Sequence, residues 1–162
     1  MEVKEAIQSI QTSIQEIVST VKGISPELLH WKPAHDKWSI MEVLVHVEEA
    51  VPYWLNEISR LLENPGTEWG RGLQDPQRLA AVANAGSRNL DDVIASIEGM
   101  VHEVERILAP ISADQLKQES PSRNPRFGTQ PLSFVIQHLL VEHVDVHDKQ
   151  IKRNIEQFKR SN

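Results

Sequence analysis

Apolar residues return every three or four positions along most of this chain, and that period decides the fold class before any motif is considered. In the first stretch Val3, Ile7, Ile10, Ile14, Ile17 and Val21 alternate steps of four and three, with Gln, Ser, Thr and Glu between them. A two-residue alternation does not fit. The period therefore outweighs the β-branched composition and predicts a helix over residues 3–22, stopped at Gly23. A second helix opens at Ser39, where Ser39 and Glu42 have the spacing of a capping box. Its apolar face runs through Ile40, Val43, Leu44, Val47, Val51, Trp54, Leu55, Ile58 and Leu62. Pro52 predicts a kink or local break inside it, and Asn64-Pro65-Gly66 ends it. Asp75-Pro76 offers the start of a long third helix over 76–109, with Leu90, Ile94, Ile97, Val101, Val104 and Leu108 as its stripe and Gly86 as its weak point. The fourth helix runs from near Pro131 to about Phe158. Between them lie a turn-rich stretch (23–37), a loop carrying Trp69 (63–74), a short helical turn (112–118) and a polar loop (121–130). No segment reads as a strand. Four long helices, each with one apolar stripe, make an all-α four-helix bundle, one domain over residues 1–162.

Length agrees, since 162 residues supply one ordinary core and need neither disulfide nor structural metal to fold. A net charge of −6 argues against nucleic acid, whose phosphates demand a basic face. Arg123 with Arg126, and the tail cations Lys152, Arg153, Lys159 and Arg160, read as solvated surface and a helix C-terminus. No apolar run approaches the ~20 residues of a membrane span. The opening Met-Glu-Val-Lys-Glu lacks the pattern of a signal peptide, so a cytoplasmic protein is the expectation. The chain has no cysteine, which removes disulfides, thiolate zinc sites, iron–sulfur clusters and cysteine nucleophiles together. Any metal must be held by nitrogen and oxygen, from seven histidines and 23 acidic residues.

Two of those histidines occupy positions meant for aliphatic residues. The stripe of the fourth helix reads Leu132, Ile136, Leu139, Leu140, His143, His147, Ile151, Ile155. Four residues apart on a helix, the imidazoles of His143 and His147 stack on one face and can reach one ion. His46 borders the stripe of the second helix, and facing helices of a bundle can bring it to the same place. His138, His102, His30 and His35 fall on polar faces or in a loop and need no explanation beyond solvent. The pair is not a zincin motif, because Val144 stands where that motif has its glutamate. Three neutral imidazoles without a thiolate suit zinc, nickel or iron(II), with a coordination position left open for water or substrate.

The run Leu29-His30-Trp31-Lys32-Pro33, followed by Lys37-Trp38-Ser39-Ile40-Met41-Glu42-Val43-Leu44-Val45-His46, resembles the W-S-x-x-E-x-x-x-H signature of the DinB-like superfamily. His143-Val144-Asp145-Val146-His147-Asp148-Lys149-Gln150-Ile151 is similar to that family's closing H-x-x-x-H-x-x-Q-I element. Asp148-Lys149 departs from the small or basic pair that many members carry there. The resemblance implies an up-down-down-up bundle and a divalent metal on His46, His143 and His147. It also implies a metal-dependent enzyme, either a transferase using a low-molecular-weight thiol or a hydrolase acting on a small molecule, and a homodimer.

A metal with three neutral ligands keeps its full charge and can lower the pKa of a bound thiol or water. Thiol transfer is the favoured reaction, and its sulfur must arrive with a substrate. Glu42 and Gln150 are weaker candidates for catalytic support. Gln150 lies one turn past His147, while Glu42 lies one turn before His46 and reads more simply as the capping partner of Ser39. Tyr53 and Trp54 are candidates for a pocket wall or for core, and Trp31 and Trp38 for pinning the 23–37 loop to the bundle. The alternative reading is a non-catalytic metal-binding bundle, dimeric or stress-related.

Overall fold

Each long stripe becomes one wall of a bundle. In the computed structural model, which covers residues 1–162, helix α1 (Val3–Val21) buries Ile10, Ile14, Ile17 and Val21 completely. Helix α2 (Pro26–His30) is a single turn and a half, started by Ser25, whose hydroxyl accepts from the Leu28 N–H at 3.2 Å. Helix α3 (Ile40–Glu63) opens with the expected capping box: Glu42 N–H to Ser39 Oγ at 3.2 Å and Ser39 N–H to Glu42 Oε1 at 2.9 Å. It runs through Pro52 without the expected break. Pro52 lies on the exposed face, where water can take the carbonyl that it leaves without a donor.

The third helix is not one rod. Helix α4 (Pro76–Ala83) buries none of its residues and ends at Asn84. A 3₁₀ turn at Ala85–Ser87 follows, and α5 (Leu90–Leu108) restarts with Asn89 as N-cap, its Oδ1 accepting from the Asp92 N–H at 3.2 Å. The break falls at the suspected Gly86, and the apolar stripe begins only at Leu90. The expected helical turn is α6 (Ala113–Leu116), and after it comes a correction to the expectation that no segment is a strand. Strand β1 (Glu119–Pro121) pairs antiparallel with β2 (Thr129–Pro131), Ser120 opposite Gln130. The last helix has three parts: α7 (Leu132–Ile136), a π-helical stretch (Gln137–Glu142), and α8 (His143–Ser161).

Around the bundle, α1 packs on α5 and α8, and α3 packs on the same two, so α1 and α3 stand diagonally. Consecutive long helices are therefore not neighbours throughout, as they would be in a simple up-down-up-down bundle. The diagonals are crossed by the α1–α3 connection, which carries α2, and the α5–α8 connection, which carries α6 and the hairpin, while α4 packs back along α3 on the way to its neighbour α5. The interior is one continuous apolar cluster. No helix is long and apolar enough to cross a membrane.

One end of the bundle is tied by a loop-to-hairpin junction built on Trp69. The indole is fully buried and its Nε1–H donates to Ser120 O at 2.8 Å. Its backbone N–H donates to Pro121 O at 3.1 Å, and its carbonyl accepts from the Arg123 N–H at 2.8 Å. Next to it Gly70 has φ +87°, and a Cβ there would sit 3.5 Å from Trp54 Cη2. The contact is an ordinary one, and it is the positive φ that favours glycine.

Candidate metal centre

Helix α3 carries His46 on its inner face between Val43 and Val47, and α8 begins at His143 with His147 one turn on. The π-helical stretch ends immediately before His143, and such local widening of a helix is frequent at functional sites. His46 is 3% exposed, His147 is 9% exposed, and His143 is half-buried. Their Nε2 atoms converge. His143 Nε2 lies 3.1 Å from His46 Nε2 and 2.9 Å from His147 Nε2. Trp38 packs against two of the rings, tilted on His46 at 5.0 Å between centroids and stacked on His147 at 6.3 Å. Its carbonyl is held by Asn154 Nδ2 at 2.9 Å.

Proton counting explains what the cluster suits. Gln150 Oε1 accepts from His147 Nδ1–H at 2.8 Å, which fixes that tautomer and leaves His147 Nε2 as a bare lone pair. His143 Nε2 then faces two neighbouring nitrogens, and one proton cannot satisfy both contacts with good geometry. Charging the rings is no remedy. Burial first, then the proximity of the other two histidines, pushes His46 down to about 2. Burial and His147 push His143 down to about 3, and burial holds His147 below its ordinary value although the Gln150 bond opposes this. The rings are thus neutral, and the Nδ1 atoms of His46 and His143 are buried without a partner, so no hydrogen bond from outside the cluster engages these two rings. Nitrogens bound to one ion at about 2.05 Å stand about 2.9 Å apart at right angles and about 3.3 Å apart in a tetrahedron. The two observed separations fall in or at the edge of that range, so the donor set fits a divalent metal. The three histidines are also the one group of its kind in the molecule.

Other candidates part ways. Gln150 sits where an outer-sphere partner belongs, on the far nitrogen of His147. Glu42 is not grouped with the three histidines: its Oε1 accepts from the Ser39 N–H at 2.9 Å and lies 3.8 Å from Lys32 Nζ, the capping arrangement that its spacing from Ser39 suggested. Trp54 lines a cavity of about 310 Å³ that opens onto His46 and His143. Tyr53 stands behind it, donating its hydroxyl to Glu57 Oε1 at 3.3 Å. Trp31 meets Phe158 edge-on at 5.6 Å and so ties the loop to α8. His30, His35 and His102 are exposed, whereas His138 is not simply solvated: it stacks on Phe134 at 5.2 Å and pairs with Glu142 at 3.1 Å.

Several residues of the cavity carried no signal in the periodicity. Arg71, Arg78, Asn124 and Arg126 reach it from loops and from α4, and Phe127 and Leu139 join Trp54 in its apolar wall. No Asp or Glu lines it. Behind it the buried Glu57 carboxylate gathers five donors: Arg60 Nε at 2.9 Å and Nη2 at 3.3 Å, the Gly70 N–H at 2.8 Å, Arg123 Nη1 at 3.1 Å, and Tyr53. That knot seats the Gly70–Arg71 segment against α3.

The fold is shared with known proteins. Among solved structures, YfiT from Bacillus subtilis, described as "a probable metal-dependent hydrolase with an unusual four-helix bundle topology", superposes with a TM-score of 0.84 at 12% identity. The match covers 98% of this chain and 88% of that one. A mycothiol-dependent maleylpyruvate isomerase superposes with a TM-score of 0.71 at 14% identity, over 93% of this chain and 61% of the isomerase. This chain thus spans about three fifths of the isomerase's length, and at such identities the likeness is one of fold. No curated protein matches the sequence. The family profile of the DinB superfamily matches residues 9–151, and the chain belongs to that superfamily.

Proposed function

We propose that this chain is a divalent-metal-dependent enzyme in which His46, His143 and His147 hold the ion and a low-molecular-weight thiol attacks a small electrophilic substrate. The observation that carries this reading is three neutral imidazole nitrogens converging beside a cavity that has no carboxylate on its wall. A zinc, nickel or iron(II) ion held there supplies Lewis acidity that brings a thiol or water toward ionisation at neutral pH. The residues around it do the rest. Neutral ligands leave the positive charge of the site undiminished, and Gln150 holds the His147 ring in the liganding tautomer. Trp54, Phe127 and Leu139 form a wall that sheds water.

Thiol transfer is favoured over hydrolysis because no Asp or Glu on that wall can serve as general base for water. A thiol, with an ordinary pKa of about 8.5, needs far less help to ionise. The chain holds no cysteine, so the sulfur is the substrate's. The test is conjugation of a small thiol such as cysteine to 1-chloro-2,4-dinitrobenzene by zinc-, nickel- or iron-loaded protein, beside hydrolysis of 4-nitrophenyl acetate without thiol. Metal-dependent conjugation that disappears in His143→Ala is expected. Metal-dependent ester hydrolysis alone would reverse the preference, and no turnover of either kind in metal-loaded protein would leave a non-catalytic bundle.

A further inference from the structure

The cavity beside the histidines is cationic in a chain whose net charge is −6. Three arginines and no acidic side chain line it. Arg71 is already committed: Glu49 takes both Nη atoms (Nη1 at 2.7 Å), Asp75 accepts from Nη1 at 3.2 Å, and the guanidinium lies 3.9 Å over the Tyr53 ring. Arg78 and Arg126 are different. Neither makes an ion pair. Arg78 gives one hydrogen bond to a backbone carbonyl, Leu73 O at 3.0 Å, and lies 5.7 Å over Trp38, the ring that packs on His46. It is half-buried, and burial together with the neighbouring Arg71 holds its guanidinium below the ordinary value, although the charges of Glu49 and Asp75, both already bonded to Arg71, oppose this. Arg126 is exposed and lines the same cavity from the hairpin loop, its guanidinium 5.6 Å over the Phe127 ring.

We propose that Arg78 and Arg126 form a carboxylate-recognition site at the mouth of this cavity, and that the ligand is a small organic acid with an apolar body. A half-buried guanidinium with one carbonyl acceptor and no ion pair keeps most of its donors free for a ligand, and an anion placed against it offsets the cost of its burial. Guanidinium groups suit planar carboxylates, with two parallel N–H donors each. The apolar body follows from Trp54, Phe127 and Leu139, which a bare inorganic anion would leave uncovered. At about 310 Å³ the cavity is at the small end for ligand sites, which restricts the acid to a few carbons beyond a ring. This deepens the proposed function by naming the substrate class, and it rests on that reading for the reaction alone.

The experiment titrates 3-phenylpropionate, its uncharged amide 3-phenylpropionamide, and inorganic phosphate into zinc-loaded and into EDTA-treated protein, read by calorimetry and tryptophan fluorescence. The acid is expected to bind at least tenfold more tightly than the amide and than phosphate. Arg78→Gln should abolish that preference, and Arg78→Lys should keep part of it. Equal binding of acid and amide overturns the proposal, as does phosphate binding as tightly as the acid, or an acid preference unchanged in the Arg78→Gln, Arg126→Gln double variant. The wild-type comparison stands whether or not the variants fold. Acid preference in protein that takes up no zinc upholds the arginine site while removing the metal reading. Zinc uptake without acid preference does the opposite.

Discussion

Removing the Glu57 carboxylate tests how the fold holds the cavity in place. Glu57 is 5% exposed, sits on the inner side of α3, and collects donors from Arg60, Arg123, Tyr53 and the Gly70 backbone. In Glu57→Ala the buried Gly70 N–H loses its acceptor, at a cost of about 1–3 kcal/mol. The charge-assisted bonds from Arg60 and Arg123 would add about as much again if those groups were buried. Their side chains are 31% and 47% exposed, so both turn to water and the loss is reduced. The sum is about 3 kcal/mol. For a chain of this length that lowers Tm by about 6–12 °C. Glu57→Gln keeps the shape and one acceptor and should lose about half as much. The pH dependence has a definite sign. Burial raises the Glu57 pKa, but the bonds from Arg60 and Gly70 and the charges of Arg60 and Arg123 outweigh it, leaving it below its ordinary value of 4.5. The unfolded chain therefore binds the proton more readily, so the stabilisation is complete above pH 4.5 and fades as pH falls below it. Urea denaturation at pH 7 and pH 3.5, followed by far-UV circular dichroism, measures both effects. A Glu57→Ala protein within 0.5 kcal/mol of wild type at pH 7, or a gap that widens in acid, would refute the reasoning.

Other expectations concern single contacts. Gln150→Leu removes the acceptor on His147 Nδ1 and should weaken zinc about 10–100-fold in a chelator competition, with little change in Tm of the metal-free protein. Gly70→Ala puts a side chain on a backbone with φ of +87°, and should cost about 1–3 kcal/mol in urea denaturation. Trp69→Phe leaves Ser120 O without the indole donor and should cost about 1–3 kcal/mol, read in the same way.

The long stripes showed α1, α3 and α5 in the sequence because burial on one face of a helix leaves a period that can be counted. The break at 84–89 is legible in part: the stripe starts only at Leu90 and Asn89 is a good N-cap, but Gly86 alone does not separate a break from a weak point in one long helix. The β1–β2 pair escaped because three residues are too few for an alternation and each strand ends in proline. The π-helical stretch leaves no periodic mark of its own. His143 and His147 stood out as polar residues on an apolar stripe, and Glu57 could have been found by the same test, being three residues from Trp54 and four from Leu61. Arg78 and Arg126 could not. They reach the cavity through the return of α4 and the fold of the hairpin loop, and sequence spacing carries no information about either.

The central claim is that His46, His143 and His147 hold one divalent ion, and elemental analysis tests it most directly. The protein is purified without a nickel column, dialysed against zinc, nickel or iron(II), and freed of loose metal. About one equivalent of a divalent metal is expected in the wild type, falling below a tenth in His143→Ala and His147→Ala while far-UV circular dichroism stays helical. Less than a tenth of an equivalent of every metal in the wild type, or a full equivalent retained in both variants, would contradict it.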